Sequence, residues 1–162
     1  MGSLAVLYQH QGRYGEAEPL CQRAIAITEQ SFGPQHSHTA THLNNLAVLY
    51  ETQGRYTEAE SLYQRVLAMR EQHLGPQHPD IAQSLNNLAA LYKAKGQYEK
   101  AEPLYIQSLE IKKKSLGVNH PDYATGLVNL AQLYQEIGQY EKAEPGLLHA
   151  MEIRKQALGE ND

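Results

Sequence analysis

Histidine is the residue type in this chain that most readily suggests chemistry, because neutral imidazole is a common metal ligand. The chain has eight histidines, and two of them, His38 and His42, are four residues apart. On a helix this spacing would place both rings on one face, where they could hold zinc or nickel. The glutamate that a metalloprotease helix carries between its two histidines is missing here. The pair therefore predicts adventitious metal binding only, and we expect no resident metal and no cofactor.

Two other sets of reactive side chains recur at intervals of 42 residues. Equivalent atoms would be about two helix diameters apart, roughly 16–20 Å, which is too far to share a metal ion or to act as a pair. We expect the histidines to form hydrogen bonds near a helix start, and the glutamates to face solvent or pair within their own helix. The sets are His36, His78 and His120, and Glu18, Glu60, Glu102 and Glu144.

The single cysteine, Cys21, falls within an apolar pattern. A nucleophilic cysteine needs nearby cations or a helix N-terminus to lower its pKa, so Cys21 is expected to be a packed thiol. One cysteine cannot form an internal disulfide, which favours a reducing, cytoplasmic location. Taken with the histidines and glutamates, these residues predict a protein that is not an enzyme.

The interval of 42 residues extends through the chain and indicates a repeat array, in which each unit packs on its neighbours. We expect a single array over residues 1–162, with repeats at residues 1–33, 34–75, 76–117 and 118–159. The first repeat is incomplete, so the chain is expected to be an excerpt from a longer array. We call a set of residues that recurs at this interval a column. The clearest columns are Gly12, Gly54, Gly96 and Gly138, and Tyr8, Tyr50, Tyr92 and Tyr134.

Each repeat contains two amphipathic segments, which we term helix A and helix B. In the third repeat, apolar residues recur every three or four positions over residues 79–95 and again over 98–116. Gly96 separates the segments, and so short a turn makes the two helices antiparallel. The fold class is therefore all-α, a stack of antiparallel helix pairs. Helix A is expected at residues 38–53, 79–95 and 121–137, and helix B at 56–74, 98–116 and 140–158.

Charge and hydropathy argue against two classes of partner. The net charge of −4 gives no basic footprint for nucleic acid, and the Lys-Lys-Lys run at residues 112–114 is short and isolated. No apolar run approaches the roughly 20 residues that span a bilayer. The last helix B, however, carries Leu147, Leu148 and Met151 where a terminal repeat normally has a polar cap. This predicts end-to-end self-association, and a structural spacer or self-assembling array is the alternative function.

The order Leu-Ala-x-Leu-Tyr, Gly-x-Tyr, Ala-Glu-x-Leu-Tyr resembles the tetratricopeptide repeat. The 42-residue period with Leu-Gly-x-x-His-Pro-Asp linkers is similar to the kinesin light chain and nephrocystin subtype of that family. The resemblance implies a right-handed α-solenoid whose A helices line a concave groove that holds peptides. It thus implies a scaffold for protein–protein interaction with a protein or peptide partner.

The resemblance places amide side chains on the inward face of each A helix. An amide offers donors and an acceptor, so it can pair with both the N–H and the C=O of an extended peptide. Alternatively, these asparagines bond across to the next helix, and both roles can hold together. Lys93 is the one cation on this face, so the basic clamp for carboxylate tails is absent. The expected groove residues are Asn44, Asn45, Gln83, Asn86, Asn87, Lys93, Asn129, Gln132 and Gln135.

Overall fold

The computed structural model describes residues 7–8 and 11–159, and within residues 11–159 it contains seven α-helices and no strand. This confirms the all-α helical-repeat solenoid, and the helix limits agree with the predicted ones to within one residue. The predicted start of the first helix A lies outside the described residues, while Leu7 and Tyr8 are helical. The helices are α1 (Tyr14–Phe32), α2 (Ser37–Thr52), α3 (Tyr56–His73), α4 (Pro79–Ala94), α5 (Tyr98–Leu116), α6 (Pro121–Glu136) and α7 (Tyr140–Leu158).

Helices α2, α4 and α6 are A helices, and the residue before each of them is a histidine that caps it. The Nδ1 atoms of His36, His78 and His120 accept a hydrogen bond from the backbone N–H two residues later, at 3.1–3.2 Å. Such a cap satisfies one of the N–H groups that lack a partner in the first turn. The expected hydrogen-bonding role of the linker histidines is confirmed.

The turn from helix A to helix B depends on glycine. Gly54, Gly96 and Gly138 have φ angles of 74°, 70° and 77°. Only glycine adopts this left-handed conformation without a steric penalty. The repeating glycine therefore ends helix A and lets helix B turn back against it.

The chain divides into two compact units, Met1–Leu74 and Gly75–Asp162. In the first unit, α2 packs against both α1 and α3; in the second, α4 packs on α5, α5 on α6 and α6 on α7. The grouping of all four repeats into one array remains a prediction.

The helix pairs approach closely because alanine occupies the contact positions. Ala47 and Ala59 of the first unit, and Ala89 and Ala101 of the second, are completely buried. Larger buried side chains of the same core include Tyr63 and Val66, both on α3. Small residues at a helix crossing bring the two axes together, so the alanine columns fix how each A helix sits on its B helix. No helix in the described part of the chain has the length and apolarity needed to cross a membrane.

Candidate binding face of the A helices

Two side-chain contacts join α4 to α6. Asn129 Nδ2 donates to Asn86 Oδ1 at 2.9 Å, and Lys93 Nζ lies 3.2 Å from Glu136 Oε1. In both contacts the α6 residue follows its α4 partner by 43 positions. The contacts are seven residues apart on each helix, which corresponds to about 10.5 Å at 1.5 Å per residue. We call the surface between and beside them the α4–α6 face.

The asparagine contact realises the alternative role considered for these residues, because it links one helix A to the next. Asn86 and Asn129 are both half-buried. An amide has two N–H donors and an oxygen with two lone pairs. One amide–amide bond uses only part of this capacity, so the pair can also bond a ligand.

The contact between Lys93 and Glu136 cancels the charge of the one cation expected on this face. A partly exposed ion pair of this kind contributes about 0–1 kcal/mol to stability, so its main effect is on the local potential. With the lysine neutralised, the α4–α6 face offers mainly amide groups to a ligand.

Seven of the nine predicted groove residues lie on α4 and α6, and the other two lie on α2 in the first unit. Of the amide side chains, the asparagines are half-buried and the glutamines are exposed. The half-buried ones are Asn44, Asn45, Asn86, Asn87 and Asn129, and the exposed ones are Gln83, Gln132 and Gln135.

On α2 the position equivalent to Lys93 is Glu51, which bonds within its own repeat. The Tyr63 hydroxyl of α3 donates to Glu51 Oε2 at 2.7 Å. Burial raises the pKa of Glu51, and the hydrogen bond from Tyr63 lowers it to a smaller extent. Burial also raises the pKa of Tyr63, as does the neighbouring carboxylate. Glu51 therefore belongs to the interior of the α2–α3 pair.

Glu51→Gln is expected to stabilise the protein at pH 7. A carboxyl whose pKa is raised by folding contributes stability below its ordinary value of 4.5 and loses it as the pH rises through the folded-state pKa. Glutamine keeps an acceptor for Tyr63 and carries no charge to desolvate. The urea midpoint should therefore rise at pH 7, with the gain disappearing near pH 4. Glu71→Gln, on the exposed side of α3, is the matched control, and an equal gain in both variants would contradict this explanation.

Two of the repeating glutamates, Glu18 and Glu102, contact the following helix A. Tyr50 OH donates to Glu18 Oε1, and Tyr134 OH donates to Glu102 Oε1, both at 2.9 Å. The prediction of solvent exposure or pairing within one helix is therefore wrong for Glu102, which faces the tyrosine of the following helix A. For Glu18 the prediction holds in part, because Glu18 Oε1 also accepts a hydrogen bond from Gln22 of α1 at 3.3 Å. Burial, followed by the bond to Glu102, raises the pKa of Tyr134 to about 12.

In the first unit, an arginine completes this contact. Arg55 Nη1 lies 2.9 Å from Glu18 Oε2, and its guanidinium carbon is 3.9 Å from the centroid of the Tyr50 ring. The sequence signal for the contact was the constant separation of 32 residues between the glutamate and tyrosine columns. Periodicity marked both columns but did not show that they face each other.

The side chains that suggested reactivity are placed for packing. Cys21 is buried, and desolvation followed by the charge of Glu18 raises the pKa of its thiol. Burial lowers the pKa of His42, and a positive charge on His38 lowers it further. Within residues 7–8 and 11–159, no three histidine, cysteine, aspartate or glutamate side chains are grouped so that they could hold a metal ion. His38 and His42 remain a candidate for adventitious metal binding only.

The model of one family, the tetratricopeptide repeat, matches residues 1–72, 39–114 and 80–156. Among solved structures, the chain is similar to BtubC (BKLC) from P. vanneervenii, with 27% identity and a TM-score of 0.87 over 99% of this chain and 64% of that one. It therefore spans less than two thirds of the length of that relative.

The chain is also similar to a kinesin light chain-like protein from Podosopora anserina that has nearly identical TPR-like repeats. The identity is 31% and the TM-score 0.82, over 98% of this chain and 74% of that one. A point variant of the same protein gives 30% identity and a TM-score of 0.83, over 99% and 74% of the two chains. No curated protein sequence matches the chain.

Proposed function

Because the chain belongs to the tetratricopeptide repeat family, whose repeats generally mediate protein–protein interaction, we propose that it binds a protein or peptide segment on the faces of its A helices. The α4–α6 face carries this proposal. Its amides are held in place by the bond between Asn86 and Asn129, and its one cation is neutralised by Glu136. Such a face is suited to binding the backbone of a partner segment rather than its charged side chains.

The spacing on this face suits an extended segment. The two helix-to-helix contacts are about 10.5 Å apart, which corresponds to about three residues of extended chain at 3.3–3.6 Å each. Ala90 of α4 has a small side chain, so a backbone could approach that helix closely. The amides of Gln83, Asn87 and Gln132 would pair with its N–H and C=O groups. A segment held in this way is bound mainly through its backbone. We therefore expect the face to accept segments with varied side chains and to bind acidic tails weakly.

In the first unit, α2 presents the same chemistry through Asn44 and Asn45, both half-buried. We propose that this face also contacts the partner. Glu51, which might have opposed an acidic ligand there, is engaged by Tyr63 instead. The two faces are treated as separate sites of one binding function.

The test is alanine at Asn45 and at Asn87. Peptides selected from a random displayed library against the wild-type chain would be measured against each variant by fluorescence polarisation. Loss of one amide that bonds a peptide backbone should cost about 1–2 kcal/mol, a 5- to 30-fold fall in affinity. Gln107→Ala, on an exposed part of the helix B surface of α5, is the matched control. Equal affinity of all three variants and the wild type would remove these faces from the binding function.

We also propose binding without catalysis, in the cytoplasm, with a protein partner and with neither nucleic acid nor membrane. The raised pKa of the Cys21 thiol keeps it protonated, which argues against its acting as a thiolate nucleophile. The net charge of −4 supports a protein partner over a polyanion.

A second candidate function is self-association, which one specific surface favours. Leu148 and Met151 of α7 are exposed large apolar side chains, and Tyr140 beside them is exposed as well. Apolar side chains grouped on one helix face are a common mark of an interface between proteins. We therefore propose that α7 takes part in contacts between copies of the chain.

A further inference from the structure

The contact between α5 and α6, inside the second unit, holds a lysine whose amine has no polar partner. Lys112 on α5 is half-buried, and in the part of the chain that the structure describes it makes no hydrogen bond and no ion pair. A lysine that is buried in part usually keeps its ammonium in water or pairs it. The next two residues, Lys113 and Lys114, are both exposed. Three lysines in a row therefore differ in their surroundings, and only Lys112 lies in the helix contact.

A glycine on α6 makes room for this lysine. Gly126 is buried, and a methyl group on it would lie 3.6 Å from Lys112 Cδ and 3.7 Å from Lys112 Nζ. The same methyl group would lie only 2.8 Å from Leu109 Cδ1. Leu109 and Lys112 are three positions apart, so they project from the same side of α5. Together they fill the space over Gly126, with the lysine amine close to the α6 backbone.

The corresponding contact in the first unit is built differently. Two repeats earlier, the position of Lys112 is held by Thr28 and that of Gly126 by His42. The Thr28 hydroxyl donates within α1, to the carbonyl oxygens of Ala24 and Ile25 at 3.1 and 3.0 Å. The polar group at that position is therefore satisfied, whereas the amine of Lys112 is not.

The surroundings of the amine favour its neutral form. Burial lowers the pKa of Lys112, and the charge of Asp122 on α6 raises it to a smaller extent. A larger share of this amine is therefore neutral near pH 7 than in a lysine that is fully in water. The neutral amine carries the lone pair that attacks carbonyl carbon, which is why buried lysines serve as nucleophiles in many proteins.

We propose that Lys112 is an acylation site that takes a small acyl group from a thioester. The lone pair of Nζ attacks the carbonyl carbon, the N–C bond forms and the C–S bond breaks. The sulfur leaves as a thiolate, and Nζ gives up its proton to solvent. The product is an amide and a thiol, with no change of oxidation state. This site is separate from the proposed peptide-binding faces and does not depend on them.

The class of reagent follows from the charge of the product. An amide is neutral, so acylation removes from the helix contact a charge that has no partner there. An aldehyde would instead form an imine, and its protonated form would return a positive charge to the same position. The space beside Gly126 is limited by Leu109 and by the α6 backbone, which restricts the acyl group to a small one such as acetyl.

The test is competition among neighbouring lysines of the full chain. A limiting amount of S-acetyl-N-acetylcysteamine, a small thioester, would be added at neutral pH, and fragment spectra of the digested protein would give the acetylation of each lysine. Lys112 should be acetylated at least about twofold faster than Lys113 or Lys114, although it is less exposed. In concentrated urea the three should react equally, since no contact with α6 remains. Equal rates in the folded chain, or a slower reaction at Lys112, overturn the proposal.

A substitution provides a second measurement that does not need the reagent. Glutamine carries a neutral amide, so Lys112→Gln mimics the acylated residue, and Lys113→Gln is the matched control. A lysine whose pKa is lowered on folding costs stability below that pKa, and the cost disappears as the pH rises towards the ordinary value of 10.5. Lys112→Gln should therefore raise the melting temperature by a few degrees at neutral pH, and Lys113→Gln should not. A melting temperature lower for Lys112→Gln than for Lys113→Gln would show that the ammonium is stabilised where it lies, which also overturns the proposal.

Discussion

Tyr63→Ala is expected to lower the free energy of unfolding by about 3–5 kcal/mol, the range for removing a large buried aromatic side chain. The Tyr63 ring is 1% exposed between α2 and α3. Its hydroxyl donates to Glu51, whose pKa is already raised by burial. Alanine would therefore leave a cavity and a half-buried carboxylate without this donor. Urea denaturation followed by circular dichroism measures the effect.

Tyr63→Phe separates these two contributions, because phenylalanine keeps the packing and removes the donor. Leaving the Glu51 carboxylate without it should cost about 1–3 kcal/mol. Tyr140→Ala, at an exposed tyrosine, is the control and should change stability by less than about 0.5 kcal/mol. If Tyr63→Ala cost no more than this control, the packing of α2 on α3 would be wrong as described. Repeat arrays need not unfold in one step, so the transition that reports the first unit should carry the change.

The parts of the fold that sequence predicted are those decided by a single position in each repeat. Gly54, Gly96 and Gly138 ended helix A because of a backbone conformation that only glycine adopts readily. The histidine before each A helix was expected to hydrogen-bond there, and its cap depends on residues only two positions apart. Such features are local, so a repeating pattern is sufficient to locate them.

Apart from the bond between asparagines, which was one of the alternatives, the contacts between repeats were not predicted, because periodicity shows which face of a helix is buried but not the offset between two helices. Glu18 and Glu102 were assigned to solvent or to their own helix, and that assignment did not include the hydrogen bond that each accepts from the next helix A. The offset of 43 residues that joins Lys93 to Glu136 likewise depends on how far α6 is displaced along α4. That displacement results from packing of the whole helix pair.

These contacts bear on the choice of ligand. The sequence showed a lysine at position 93 but not that Glu136 neutralises it, which changes a weakly basic face into a neutral one. Because an uncompensated lysine would attract carboxylates, the ion pair strengthens the expectation that acidic tails bind weakly. The family identifies a class of function, while the pairing of individual side chains narrows the chemistry of the partner.

Ala101→Leu is expected to destabilise the second unit by about 1–3 kcal/mol, because a well-packed site has no room for three further carbon atoms. Ala101 on α5 and Ala89 on the adjacent α4 are both completely buried. Relief of the overlap requires the two helices to separate. Ala94→Leu, on an exposed part of α4, adds the same atoms where they meet solvent and should change stability by less than about 0.5 kcal/mol.

The same substitution should also weaken binding, since α4 supplies half of the α4–α6 face. Displacement of α4 would lengthen the contacts from Asn86 to Asn129 and from Lys93 to Glu136, which now measure 2.9 and 3.2 Å. We therefore expect Ala101→Leu to lower the affinity for library-selected peptides under conditions where the protein is still folded, and Ala94→Leu to leave it unchanged. Reduced stability with unaltered peptide affinity would show that the peptide does not depend on where α4 holds its amides. That result would move the binding function away from the α4–α6 face, because there the positions of the amides depend on helix packing.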